Sequence, residues 1–264
     1  MVGIAPVGDL TLDIGDHVAT VTLDRPPVNA ITRSTMVELR DTFRALGEDP
    51  QVRVAVFTGA GDKAFMAGVD LKTFDTDDTE ADPDDPGRLP REALEAVYDC
   101  AVPVIAAVNG PALGAGLAYA AVCDLIVAAE HATFGTTEIN VGLLGASAHL
   151  NLLLGRPKVR ELFLTGVPAS AAELHRLGAV NRVVPLADLA ATAGELAAAL
   201  AAKSPLALRL AKEALNETEF LPLKEAYRTE QGYTRRLLQH PDSAEARQAF
   251  ADKREPNWTY QPGD

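Results

Sequence analysis

The stretch VNGPALGAGLAYAAVCDL (108–125) carries almost no acid, base or nucleophile, yet its residue types suit chemistry done by backbone alone. A strand-like run, VPVIAAVNG (102–110), enters its Gly/Ala-rich turn, and a helix-like run leaves it. The first N–H groups of a helix have no intrahelical partner and carry partial positive charge. Glycine and alanine let a ligand approach that backbone closely. Such a turn can hold a phosphate or a developing oxyanion without any reactive side chain. Two other readings exist. Gly114-Ala115-Gly116 begins a dinucleotide fingerprint, but its third small position falls on Tyr119 and the motif lies mid-chain. Small residues also serve tight helix–sheet packing. A second Gly-containing turn, GDKAFMAGVDLKTF (61–74), favours the anion reading. It too follows a strand-like run and leads into an expected helix, and two converging backbone donors make an oxyanion hole.

The elements that must position these turns are legible as periodicities. HVATVTLD (17–24) alternates like a strand, and VRVAVFTG (52–59), VPVIAAVNG and DLIVAAE (124–130) are short β-branched apolar runs, with AVNRVVP (179–185) a weaker fifth. Met36, Leu39, Phe43 and Leu46 recur at helical spacing, with a capping box expected at Thr35–Glu38. Strands alternating with helices predict an α/β fold with a mostly parallel sheet. From about residue 187 four helical segments follow, the last three separated by Pro205, Pro222 and Pro241, with Asp242 and Glu245 at capping-box spacing. The expected division is an α/β core over 1–195 and a helical part over 196–264.

Composition bounds the function. The 264 residues carry a net charge of −13, which disfavours nucleic acid as a partner because phosphate binding needs a basic stripe. Seven acids crowd Asp75 to Asp85 with no base among them, a tract expected to be a mobile, solvated loop. Cys100 and Cys123 sit in apolar runs, read as reduced core thiols of a cytoplasmic protein. No signal peptide, membrane span or metal-ligand cluster is expected.

The segments DRPPVNAI (24–31), KAFMAGVDL (63–71), PVIAAVNGPALGAGLAYAAVCDL (103–125), FGTTEINVGLLG (134–145) and, more weakly, FADKREPNW (250–258) resemble the crotonase superfamily, the enoyl-CoA hydratase/isomerase family, in order and spacing. The resemblance implies a spiral of ββα units with a helical C-terminal trimerisation region, assembled as a trimer or dimer of trimers. It implies an acyl-CoA thioester as substrate, coenzyme A being part of that substrate and no cofactor being permanently bound. The oxyanion donors it implies are the N–H groups of Val69 and Ala115, where the family usually has glycine in place of Ala115. For the CoA moiety it implies Ala67, Asp70 and Leu71 through their backbone, Arg25, Val28 and Ala30 along the adenine and pantetheine side, and Lys72 and Lys253 as phosphate partners. The lysine that many members carry near Pro27-Val28 is absent.

A typical hydratase of this family has two glutamates; this chain has Ala118 at the first position and Glu138 at the second. One carboxylate suffices for a 1,3 proton shuttle, which moves weight toward isomerisation, although it can also activate water. Apolar Ile139 and Val141 are expected to bury Glu138 and raise its pKa. Tyr119 is expected to point away from Ala118's direction, and Asn140 is close to Glu138 in sequence. Ser147 and His149, two apart on a helix, do not face each other, so a Ser/His nucleophile pair is disfavoured; both are read as pocket-lining or structural, with a catalytic His149 as the lesser alternative. Asp124 is expected to make a structural hydrogen bond. The readings left open are a hydratase/isomerase, an acyl-CoA decarboxylase or hydrolase, and a non-catalytic acyl-CoA-binding subunit.

Overall fold

The computed structural model describes residues 2–73 and 76–263. An antiparallel meander, β1 (Val2–Val7), β2 (Leu10–Gly15) and β3 (Val18–Leu23), leads into α1 (Arg33–Glu48) and β4 (Val54–Gly59). Helix α2 (Arg88–Tyr98) precedes β5 (Val104–Val108), the two-residue β6 (Ala112–Leu113) and α3 (Ala115–Ala121). Next come β7 (Leu125–Ala129), β8 (Thr133–Gly135), a 3₁₀ turn over Glu138–Val141, α4 (Ser147–Leu153) and α5 (Arg156–Thr165). The chain continues through β9 (Ala169–Ser170), α6 (Ala171–Arg176), β10 (Arg182–Val184), α7 (Leu186–Ala201), α8 (Pro205–Thr218), α9 (Leu223–Gln239) and α10 (Pro241–Asp252).

One sheet runs β1-β2-β3-β4-β5-β7-β10, parallel from β3 onward, and a second, small sheet runs β6-β8-β9. Successive units place one strand in each sheet: β5 then β6, β7 then β8. Isolated bridges Ile31–Val69 and Met66–Ala112 carry the loop after β4 alongside the small sheet. This is the expected α/β spiral. The strands read as unbroken apolar runs because both faces of the large sheet are covered. Ala55 and Phe57 of β4, with Val104, Ala106 and Val108 of β5, face the main core, where Phe57 packs edge-on to Phe43, Phe65 and Tyr119. Val54, Val56, Ile105 and Ala107 face the other way, under Leu189, Ala193, Ala197 and Ala201 of α7. The expected division at 195 therefore falls inside a helix that packs on the sheet.

Several local expectations are corrected. Helix α1 starts one turn before the anticipated cap: Thr32 caps it reciprocally with Thr35, while Glu38 accepts from the Asp9 N–H at 2.7 Å. Helix α10 is capped by the His240 ring, and Asp242 turns inward to accept from Thr259. No helix follows the 61–71 turn; residues 71–73 form turns, and Phe74 and Asp75 lie outside the described residues. Four acids of the remaining tract are paired. Asp77 accepts from the Arg33 N–H, Arg33 Nε donates to the Thr79 carbonyl at 2.7 Å, Glu80 pairs with Arg40, Asp82 with Arg88 and Asp85 with Arg91. The bases missing from the tract come from α1 and from α2. Asp124 makes its expected bond, accepting from the Val104 N–H at 2.7 Å, and also pairs at 2.8 Å with Lys212, a 4 % exposed lysine on α8. Cys100 and Cys123 are buried and unpaired with each other. Among the described residues no helix is long and apolar enough to cross a membrane.

Candidate active site

Two asparagines seat the first donor turn. Asn29, in a left-handed conformation, donates to the carbonyls of Ala60 and Ala64, and Asn109 donates to those of Gly61 and Ala64. From that anchor the chain runs beside the second turn, with the Leu113 N–H donating to the Met66 carbonyl at 3.0 Å. The turns share one device. Gly68 (φ +102°) precedes Val69, and Gly114 (φ +55°) precedes Ala115. Positive φ at these points suits glycine and redirects the N–H that follows. The N–H groups of Val69 and Ala115 donate to no protein group among the described residues, whereas those of Gly114, Ala67 and Asp70 are spent on Gly135, Val28 and Ile31 carbonyls.

Val69 and Ala115 line one cavity of about 830 Å³, together with Ala67, Leu71, Ala118 and Glu138. Its far wall is apolar, from Met36, Pro90, Leu94 and Leu144. The Glu138 carboxyl lies against both glycine backbones that flank it: a Cβ on Gly114 would meet its Oε1 at 3.1 Å, and one on Gly145 at 2.7 Å. Its Oε2 is buried with no hydrogen-bond partner among the described residues, and burial pushes the carboxyl above its ordinary range. Ile139 and Val141, expected to bury it, are themselves exposed, while the Gly114 and Gly145 backbones lie against the carboxyl.

The other expected residues divide sharply. Arg25 points behind the turn, donating to the Ala30 carbonyl at 2.6 Å and to Asp70 at 3.0 Å. The Lys72 N–H and the Arg25 guanidinium hold the Asp70 carboxyl below its usual range. Arg25, Val28, Ala30 and Asp70 stand outside the cavity; Lys72 is exposed at its own turn, and Lys253 is exposed at the end of α10. Asn140 lines the cavity and donates to the Gly166 carbonyl. Tyr119 lines it beside Ala118, contrary to expectation: the ring packs edge-on to Phe57, and the hydroxyl has no partner among the described residues. Ser147 and His149 part as the helical geometry requires. Ser147 lines a separate depression with Arg156 and Arg160, while His149 lines the main cavity with its Nδ1 buried and unpartnered. Asp77 and Arg33 also reach the cavity rim from the acidic tract and α1, an approach that sequence spacing does not signal.

Comparison with known proteins fits this geometry. A family model described as enoyl-CoA hydratase/isomerase matches residues 13–261. The chain is 40 % identical, over 92 % of its length and 93 % of the relative's, to a Rhodococcus jostii (strain RHA1) protein named (7aS)-7a-methyl-1,5-dioxo-2,3,5,6,7,7a-hexahydro-1H-indene-carboxyl-CoA hydrolase. It is also 40 % identical, over 90 % of its length and 93 % of the relative's, to a carnitinyl-CoA dehydratase of Salmonella heidelberg (strain SL476). A crystal structure of an enoyl-CoA hydratase from Bacillus anthracis superposes with a TM-score of 0.88 at 32 % identity, covering 97 % of this chain and 100 % of that one.

Proposed function

The chain belongs to the enoyl-CoA hydratase/isomerase family and is an acyl-CoA enzyme of it; from that premise we propose that it stabilises a thioester enolate and moves a proton at the α-carbon with Glu138. The observation that carries this reading is the meeting, in one cavity, of two unspent N–H groups and one carboxyl whose buried Oε2 has no partner among the described residues. The N–H groups of Val69 and Ala115 hold the thioester oxygen as it gains negative charge. Preorganised donors of this kind act strongly in a site that excludes water. Glu138 gives a proton to C2 as the acid and takes one from it as the carboxylate, and burial shifts it toward the protonated form. Alanine at 115 keeps the donor and adds only a methyl to the pocket wall.

A second reading, hydrolysis of an acyl-CoA at the same site, is favoured by the 40 % identical relative named as a hydrolase. Water then attacks a carbonyl carbon and the same donors hold the oxyanion. For the assembly, we infer a trimer or dimer of trimers: α9 buries no residue in the single chain, and Leu223, Tyr227 and Leu238 stand exposed near Phe220.

The test is incubation with trans-2-butenoyl-CoA in deuterated water, read by mass spectrometry. A product heavier by one water, lost in Glu138→Gln, is the expected result. Deuterium at carbon without net water assigns a proton shuttle. Neither change, across butenoyl, decenoyl and 3-enoyl thioesters, refutes enolate chemistry and leaves hydrolysis, which a free-thiol assay reads directly.

A further inference from the structure

Glu138 is not the only unpartnered proton carrier in the cavity. His149 stands on α4, which packs against α3, the helix that carries Ala118. Ala118 is 2 % exposed and presents only a methyl where the family resemblance leads one to expect a second carboxylate. The imidazole lines the same cavity as Glu138, and the backbone at Gly145, four residues before His149, touches the Glu138 carboxyl. Among the described residues, His149 Nδ1 is buried without a hydrogen-bond partner. A structural histidine in a core is ordinarily pinned by such bonds, as His175 is here by the Val180 carbonyl at 2.7 Å. His149 instead lines the cavity with its Nδ1 unpartnered among the described residues.

We propose that His149 is the water-activating base of this enzyme, doing from α4 the work that a carboxylate at position 118 would do from α3. The proposal rests on the acyl-CoA reading above. Burial acts on the two groups in complementary directions: it raises the Glu138 carboxyl and lowers the His149 imidazole, so both are favoured in their neutral forms. A neutral carboxyl is an acid with a proton to give, and a neutral imidazole is a base with a lone pair to use.

For addition to an enoyl thioester the step balances. His149 takes one proton from water and the water oxygen bonds to C3. The C2–C3 π pair moves toward the thioester oxygen, held by the Val69 and Ala115 N–H groups. Glu138 then delivers its proton to C2. The product is a 3-hydroxyacyl thioester, leaving imidazolium and carboxylate, which return to the starting state by passing one proton through solvent. Running backwards, the same pair eliminates water.

Two assays separate this proposal from the reading it rests on. Deuterium exchange at C2 of butanoyl-CoA in D₂O needs the two N–H donors and Glu138 but no attacking water. Hydration of trans-2-butenoyl-CoA or trans-2-decenoyl-CoA needs all of them and His149. His149→Gln is expected to cut kcat for hydration by about 100-fold or more with little change in KM, while exchange falls far less. Glu138→Gln loses both. His149→Ala, with free imidazole added to recover hydration, guards against a misfolded variant. Equal loss of hydration and exchange in both His149 variants, or hydration retained in them, overturns the proposal. So does a wild type that exchanges but hydrates neither substrate. A wild type that does neither overturns the enolate reading on which the proposal rests, and the role of His149 with it.

Discussion

Gly116→Ala tests whether the spacing of the two donor turns carries the reaction. A methyl at this position would lie 2.0 Å from the Met66 carbonyl oxygen and 2.9 Å from its carbon. Non-bonded carbon and oxygen approach to about 3.3 Å, so the turns must part by roughly 1.3 Å. The Met66 carbonyl is not free to swing aside, because it accepts from the Leu113 N–H at 3.0 Å across the Met66–Ala112 bridge. Overpacking of this kind costs about 1–3 kcal/mol, and the weakened hydrogen bond about 1 kcal/mol more. At 2–4 °C per kcal/mol for a chain of this size, the melting temperature should fall by roughly 5–15 °C. The displacement falls between Val69, three residues after Met66, and Ala115, immediately before Gly116. A misplacement of about 1 Å costs on the order of 100-fold in rate. C2 exchange of butanoyl-CoA followed by NMR, at a temperature where calorimetry shows the variant folded, reads the loss. Ala115→Gly is the companion: it keeps the N–H and should hold its rate within about threefold. A folded Gly116→Ala enzyme with near-wild-type exchange would refute the argument that the two N–H groups act together.

Three further outcomes are expected. Burial raises the folded-state pKa of Glu138 above its ordinary value of 4.5, so this group favours the folded state at pH below that value and loses that contribution as pH rises through the raised one. Glu138→Gln, with no charge to bury, should therefore melt above wild type at pH 8, the gap closing as the pH falls through the raised value toward 4.5. Lys212→Ala leaves the Asp124 carboxylate and the Val97 and Val102 carbonyls without their shared donor. Urea unfolding should show a loss of about 3–5 kcal/mol, part of it returned by Asp124→Asn in the same chain. Arg40→Ala removes the guanidinium that binds Glu80 and Glu92. Losing charge-assisted bonds worth about 1.5–3 kcal/mol should raise local opening of residues 76–86 roughly ten- to hundredfold, read as faster amide exchange there.

The sequence by itself determined the layered α/β fold and the places where backbone could act. Strands buried on both faces must be apolar at every position, and helices buried on one face must be apolar at every third or fourth. Both patterns are local, so β4, β5, β7 and the helices from α7 to α10 are legible within two or three residues of their ends. Val69 and Ala115 came from the family resemblance, and in the fold each follows a glycine at positive φ. The tertiary structure decided how polar groups pair, because their partners are distant in sequence. Thr32 in place of Thr35 caps α1, and the cap is set by where the chain leaves the Ile31–Val69 bridge. The acidic tract looks unpaired until α1 and α2 bring Arg33, Arg40, Arg88 and Arg91 beside it. Lys212 reads as a surface lysine until α8 lays it on Asp124. Ser147 and His149, two residues apart, were separable by helical geometry, but which of them enters the cavity was not. That choice depends on how α4 rolls against α3, a matter of packing that no local pattern encodes.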